Sequence, residues 1–475
     1  MYAMLTVALL CAADVSSSPV VSPEIVQTAV RLRDAALKDD TAYRYLEDLT
    51  TEVGPRLAGT RQEARARQWT IRALKKLGFP QKSIRLEPFK METWVRGAER
   101  VAITAPFPQP LIATALGRSA STGPRGLRGT VVVFPTIDEL QRAPKAVLRG
   151  KIAYVGHAMN KTQDGSSYGY FGQARFRGPS IAAKKGAKAI MIRSIGTHSH
   201  RLPHTGVTGW AKDQSPIPAV AVSAPDADQI ERIAARGERI SVSMTVTPRI
   251  LGMTESANVV VDLPGSDLAE QIVIVGGHLD SWDLGTGAVD DGAGVALTAA
   301  AVHLIRKMGL RSRRTIRLVH WGAEEVGLYG AKAYVKRHRD ELDKHVLGSE
   351  SDFGAERIYR IDSDLSERAT AVVDQMLQVL APIGVARGAR GSAFTGTSGP
   401  DLSPLHVSGL PKFRLSQDGR DYFDLHHTPD DTFDKVDPAA LAQNVATYAV
   451  FLWFAANADV DFRDSQATGS VKLSQ

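Results

Sequence analysis

Gln271-Ile272-Val273-Ile274-Val275 runs directly into Gly276-Gly277-His278-Leu279-Asp280-Ser281-Trp282-Asp283. Four β-branched residues in a row, then two glycines, then His and Asp, read as a buried strand that ends in a polar loop. Gly292 to Met308 follows with helical periodicity, and Thr315 to Val319 is a second apolar run. A strand, a helix of about ten residues or more, and another strand form a βαβ unit with its strands parallel. Open sheets of this kind place ligands beyond the carboxyl ends of the strands. The residues after Val275 and after Val319 are therefore where chemistry is to be sought.

Outward from that unit the alternation continues. Arg357 to Ile361 reads as a strand, and Tyr329 to Arg339, Glu367 to Leu380 and Pro438 to Asn457 read as helices. The fold class is α/β, a mixed, mostly parallel sheet flanked by helices. Upstream, Pro23 to Leu77 has helical periodicity broken at Gly54-Pro55-Arg56-Leu57-Ala58-Gly59, so two or three helices precede a strand-like stretch from about Leu86. Thr122 to Gly129, rich in Gly, Pro and Arg, marks a linker into a second α/β pattern. That pattern has strands at Thr130 to Phe134, Lys151 to Val155, Ala187 to Ile192 and Ala219 to Val222, and helices at Pro179 to Lys185 and Asp226 to Arg236. The expected organisation is a leader over residues 1–22, a main domain over 23–121 and 248–460, an insert over 122–247, and a tail over 461–475.

A chain of 475 residues exceeds what one hydrophobic core usually organises. The formal charge is +7, but Lys and Arg are scattered. The densest cluster, Arg311, Arg313, Arg314 and Arg317, flanks an apolar run and reads as a solvated turn, so no nucleic acid is expected as partner. Ala3 to Ala13 is apolar and precedes a Ser-rich stretch, the pattern of a signal-peptide core and cleavage zone, although the first basic residue is Arg31. The protein is thus expected to be secreted or periplasmic. Cys11, the single cysteine, lies within this leader, so the mature chain is expected to have no disulfide. No other apolar run reaches the roughly 20 residues of a membrane span; Val445 to Ala456 reads as a buried core helix.

Four fragments carry candidate chemistry. His278 and Asp280 end the first strand, and Asp290-Asp291 opens the helix that follows, where an acidic pair also suits a plain N-cap. Glu324-Glu325 follows the second strand; two adjacent carboxylates are costly to bury unless a cation lies between them. Asp352 lies in Ser349-Glu350-Ser351-Asp352-Phe353-Gly354, ahead of a strand-and-turn region, and His426-His427-Thr428 sits in a loop before the last helix. Imidazoles and carboxylates without a thiolate suit zinc with open positions for water. One bridging carboxylate, with one imidazole and one further carboxylate per ion, would make a two-metal site.

In order and spacing these fragments resemble the co-catalytic zinc exopeptidases, and Gly54 to Thr60 is similar to that family's N-terminal signature. The insert, including Pro203-His204-Thr205-Gly206, resembles a protease-associated domain. The resemblance implies two Zn2+ ions, short peptide substrates cut from one end, and a homodimer. It implies that His278 and Asp352 hold one zinc, that Glu325 and His427 hold the other, and that Asp290 bridges them. Asp280 then orients His278, Glu324 is the general base, and His426 stands where many members carry a Tyr as oxyanion donor. Gly399-Pro400-Asp401 departs from the family's Gly-Thr-Asp. The rival classes are a catalytically silent receptor-like protein, and a zinc-dependent deacylase or glutaminyl cyclase on a related fold; whether an amino or a carboxyl terminus is read stays open.

Two further patterns are read as bland. Gly165-Ser166-Ser167-Tyr168-Gly169 has the spacing of a serine-hydrolase elbow but follows a polar stretch where a strand is required. His198, His200 and His204 lack a nearby carboxylate and read as a polar loop, with His204 facing the site from the insert.

Overall fold

The computed structural model describes residues 21–464. The expected leader, with Cys11, lies outside the described residues except for Val21 and Ser22, as does the tail beyond Asp464.

Three helices open the chain, Pro23–Ala36, Thr41–Glu52 and Arg61–Lys76. Thr60 caps the third by accepting the Glu63 N–H at 3.4 Å. The expected break between them is a turn with Gly54 and Gly59 in the left-handed region, φ 72° and 76°. Gly59 also faces the side chains of Thr93 and Thr254 at a distance that admits no Cβ.

The central sheet has the order Ile84–Val95, Arg249–Leu263, Arg314–Trp321, Leu268–His278, His345–Glu350. The first two pairings are antiparallel; Arg314–Trp321, Leu268–His278 and His345–Glu350 are mutually parallel. His278 pairs with Trp321, and Gly276 with Glu350, so three strands finish on one edge. The register thereby brings His278, the loop holding Glu324 and Glu325, and the loop holding Asp352 to one place. A three-stranded sheet, Ala386–Arg390, Ile358–Asp364 and Lys412–Gln417, flanks it.

Arg249–Leu263, His345–Glu350 and Lys412–Gln417 were not legible as strands. The outer half of Arg249–Leu263 leaves Ile250, Leu251 and Met253 exposed, which hides its alternation. Asp352 therefore follows one strand, His345–Glu350, as well as preceding another, Ile358–Asp364, as expected. The helices Ala288–Lys307 and Pro438–Asn457 are long and apolar enough to cross a membrane, yet both are packed inside the protein. Phe413 stacks on Phe451 at 4.7 Å, and each such buried side chain contributes about 1.5–3 kcal/mol.

A second sheet of eight strands runs Gln109–Leu111, Glu99–Ala105, Ser241–Val246, Leu127–Phe134, Ile152–Val155, Ala189–Arg193, Ala219–Val222, Ala113–Ala115. Here the expected boundary at Thr122 is corrected. Glu99–Ala105 pairs with Ser241–Val246 and Ala113–Ala115 with Ala219–Val222, so the second sheet draws on the chain from Glu99 onward. Leu127 to Gly129 lies in a strand and not in a linker. Pro106, Pro108 and Pro110 break up these short strands in the sequence, and Pro110 is tolerated because its strand is an edge.

Candidate metal centre

His278 closes its strand, and its Nδ1 donates to the Asp280 carbonyl at 2.8 Å. That fixes the ring and turns Nε2 toward Asp290 Oδ1 at 3.2 Å and Asp352 Oδ1 at 3.4 Å. His427, held at φ 61°, presents Nδ1 to the Thr205 carbonyl at 3.2 Å and Nε2 to Glu325 Oε2 at 3.0 Å and Asp290 Oδ2 at 3.3 Å. Asp290 thus stands between two sets of one imidazole and one carboxylate, with one oxygen toward each. All five expected metal ligands meet here.

The donor chemistry accommodates cations. Two of the three carboxyl groups around the two imidazoles, Asp290 and Glu325, are buried with them and Asp352 is half-buried, and among the described residues Asp290 Oδ2 and Glu325 Oε1 have no hydrogen-bond partner. Buried anionic oxygens without donors are expensive. Divalent ions among nitrogen and oxygen donors remove that cost, and zinc suits such a set.

Asp290 and Asp291 divide the two readings of their pair. The Asp290–Asp291 peptide is cis. Asp291 accepts the His278 N–H at 2.9 Å on Oδ2 and the Gly294 N–H at 3.1 Å on Oδ1, so it caps the helix while Asp290 faces the cluster. Gly277 is required beside it, because a Cβ there would meet the Asp291 carboxylate and the backbone of Gly294.

Asp280 is placed differently from expectation. Its carboxylate Oδ1 is 3.9 Å from His278 Nδ1, beyond hydrogen-bond range. It accepts the N–H groups of Glu324 at 3.0 Å and Glu325 at 3.3 Å instead. The turn it holds is tight, with Ala323 at φ 58°. Glu324 lines the adjacent cavity. Burial pushes its carboxyl well above the usual range, opposed by His278 and reinforced by Asp352 and Glu325.

Arg56 and Asp431 carry parts of the site to which the sequence assigned no role, although Arg56 lies in a stretch that carries the resemblance and Asp431 three residues past another. Arg56 is fully buried and donates to the carbonyls of Leu279, Thr286 (2.7 Å) and Gly287 (2.9 Å). It is the cation behind Asp431, Asp280, Asp291 and Asp290. Asp431 accepts the N–H groups of Val289 at 2.6 Å and Asp290 at 3.2 Å, and burial together with Asp290 raises its carboxyl to about 7.

His426 stacks on His427 at 3.5 Å and brings Nε2 to 3.8 Å from Asp290 Oδ2. Burial, then His427, push its pKa well below the usual value, so it is a neutral imidazole with one N–H to donate. With Asp290 and His427 it also forms a group close enough to hold an ion. His204 does not line the cavity; it is buried, and its Nδ1 donates to the His426 carbonyl at 2.6 Å while its Nε2 meets His198 Nε2 at 2.7 Å.

The cluster opens on a cavity of about 520 Å³. Its floor is Asp290, Glu324, Glu325, Asp352, His426 and His427; Tyr168, Arg175, Phe176 and Val207 line it from the segment carrying the second sheet. Gly165 to Gly169 has no strand before it, and its Tyr168 stacks on Phe423 at 4.9 Å as part of the wall.

Residues 258–452 match the sequence profile of peptidase family M28. Carboxypeptidase Q of Bos taurus is 33% identical over 435 residues, which cover 91% of this chain and 89% of the relative. The crystal structure of a peptidase M28 precursor from Shewanella amazonensis SB2B superposes with a TM-score of 0.89 at 44% identity, covering 92% of this chain and 98% of that one. The zinc aminopeptidase BSAP from Bacillus subtilis shares the fold, with a TM-score of 0.63 at 19% identity over 88% of this chain and 95% of that one.

Proposed function

The chain belongs to peptidase family M28 and is a metallo-exopeptidase, and from that premise we propose that it works with two zinc ions, His278 and Asp352 holding one, Glu325 and His427 the other, and Asp290 shared between them. The observation that carries this reading is the placement of Asp290, whose two oxygens face separate imidazole and carboxylate sets at 3.2 and 3.3 Å. Bound there, the ions supply Lewis acidity to the scissile carbonyl and to the attacking water.

The protein's own groups do the rest. Glu324, beside the cluster and free of any side-chain hydrogen bond among the described residues, takes the proton of the attacking water at its carboxylate and hands it to the leaving amine. Asp280 holds the turn that aims Glu324. His426, neutral and on the cavity wall, donates its N–H to the oxygen on which negative charge develops. The segment over the cavity is proposed as a protease-associated insert, redrawn to begin near Glu99. Short peptides are the proposed substrates, and export from the cytoplasm, resting on the apolar Ala3 to Ala13, is part of the proposal.

Chelation followed by reconstitution tests it. A chelator is expected to abolish hydrolysis of dipeptides, zinc to restore it, and metal analysis of the active protein to give two ions per chain. One ion per chain at full activity would overturn the assignment.

A further inference from the structure

Among the described residues two arginines line the cavity, Arg175 and Arg414, above a floor of carboxylates and histidines. Arg175 is held by the protein: it donates to the Thr205 carbonyl at 3.1 Å and to the Tyr168 hydroxyl, lies 3.1 Å from His427 Nδ1, and packs on Phe176, leaving only its Nε without a partner among the described residues. Arg414 is not. On the strand Lys412–Gln417 it pairs in register with Asp362. The Asp362 carboxylate is already filled by Arg360 Nε at 2.9 Å, Ser416 Oγ at 2.6 Å and the Ala389 N–H at 2.6 Å. Among the described residues the Arg414 guanidinium has no hydrogen-bond or ion-pair partner; it lies over the ring of Phe353 at 5.4 Å. Burial lowers its pKa more than Asp362 raises it, as expected of a cation short of counter-charge.

Phe353 adjoins Asp352 and is itself fixed against Tyr422 at 4.9 Å. Stacking on such a wall orients the planar guanidinium in advance and leaves its N–H edge for a ligand. A guanidinium offers a two-pronged match to a carboxylate. Beside the proposed zinc site, Arg414 is the cavity-lining arginine whose guanidinium no protein carboxylate occupies among the described residues, so a peptide's carboxylate can pair with it. Resting on the exopeptidase reading above, we propose that Arg414 is a specificity-determining residue that receives a carboxylate of the peptide substrate, its free α-carboxylate. An acidic side chain offers the same chemistry from a second source.

The test uses the zinc-loaded enzyme with Ala-Ala, its C-terminal amide, and the pair Ala-Glu amide and Ala-Gln amide. Wild-type protein is expected to favour Ala-Ala over its amide by about tenfold or more in kcat/KM, the effect of a charged hydrogen-bonded pair. In Arg414→Gln that ratio should collapse toward one through KM, and Arg414→Lys should keep part of it. Each value is a ratio on one protein sample, so partial misfolding cancels. If the preference lost is instead for Ala-Glu amide over Ala-Gln amide, the arginine stands and the carboxylate is a side chain's. A wild-type ratio near one for both pairs, or ratios unchanged in Arg414→Gln, would overturn the proposal. Calorimetric binding of D-Ala-D-Ala and its amide reads the same preference without turnover. A carboxylate preference there that vanishes in Arg414→Gln, in protein that cleaves nothing, would sink the exopeptidase reading and leave Arg414 in place.

Discussion

The carboxylate of Asp280 accepts the backbone N–H of Glu324 at 3.0 Å, while the carbonyl of the same residue, not its side chain, takes the Nδ1–H of His278. Asp280→Asn therefore leaves the histidine's orientation alone. It sets an NH2 group against one of two backbone donors and loosens the turn under Glu324 and Glu325. Activity is expected to fall about ten- to a hundredfold, the usual cost of losing a supporting contact at a metal site, with zinc content near that of the wild type. Kinetics and metal analysis on the same sample check this. Zinc lost in step with activity would mean that the carboxylate acts through His278 after all.

The two neighbouring glutamates separate in the same experiment. Glu324→Gln keeps the shape and removes the proton acceptor, so the rate should drop by about a hundredfold or more with both ions retained. Glu325→Ala takes away the carboxylate 3.0 Å from His427 Nε2 and should lose one ion. Equal metal content in the two variants would break the assignment of roles.

How much of this was legible follows from what a sequence encodes. His278, Glu324, Glu325 and Asp352 stand just past strand ends, and the apolar runs before His278 and Glu324 announce those ends without any coordinates. From the residues alone Asp290 against Asp291 was not decidable, because both readings of an acidic pair at a helix start are chemically sound and the chain uses one residue for each; only the resemblance singled out Asp290. The role of Arg56 was hidden because its partners are carbonyls and carboxylates more than two hundred positions away, Leu279 to Gly287 and Asp431. Strand membership of Glu99 to Ala115 was invisible for the same reason, since composition does not say which sheet a short strand joins.

Arg56 is the next test. Replacing it by Met removes the guanidinium from the carbonyls of Leu279, Thr286 and Gly287, the last of which keeps the Gly292 N–H, and leaves four carboxylates without their buried counter-charge. Removing one partner of a buried charge network costs about 3–5 kcal/mol. Urea unfolding of the zinc-free protein should show a loss of that size for Arg56→Met, and a smaller one for Arg56→Lys, which keeps the charge but not the fork. A change under about 1 kcal/mol, the range of exposed pairs, would mean the cation is dispensable.

Glu63 gives a pH dependence away from the metals. It is buried, and desolvation raises its carboxyl to about 7 despite the Arg67 guanidinium at 2.9 Å. Below its ordinary value, near 4.5, the group is protonated in both folded and unfolded chains, and its contribution is fully present. Between 4.5 and about 7 the unfolded chain releases the proton while the folded one keeps it, so stability is lost as pH rises through that window and is level above it. The loss is on the order of 3 kcal/mol. Glu63→Gln should flatten that part of the stability curve. Parallel curves for wild type and variant from pH 4 to 8 would contradict the assignment.

The last prediction concerns where peptides are cut. Tyr168, Arg175, Phe176 and Val207 reach over the cavity from the segment bearing the second sheet, and the roof is fastened at the metal site itself. The Thr205 N–H donates to the His427 carbonyl at 3.0 Å, His204 Nδ1 to the His426 carbonyl at 2.6 Å, and Lys161 bridges Asp421 and Asp424 at 2.8 Å each. A cover so attached excludes water and strengthens the electrostatics beneath it. It also leaves about 520 Å³ for the substrate, which holds a short peptide and not a threaded chain. In a series of increasing length starting from dipeptides, the rate should fall steadily, and mass spectrometry should show residues lost one at a time from a single end. Blocking that end should stop cleavage, and blocking the other should not abolish it in the longer peptides. Internal cuts in a denatured protein, or good turnover of a peptide blocked at both ends, would show that the roof opens far enough for a chain to pass, and the size limit would have to be abandoned.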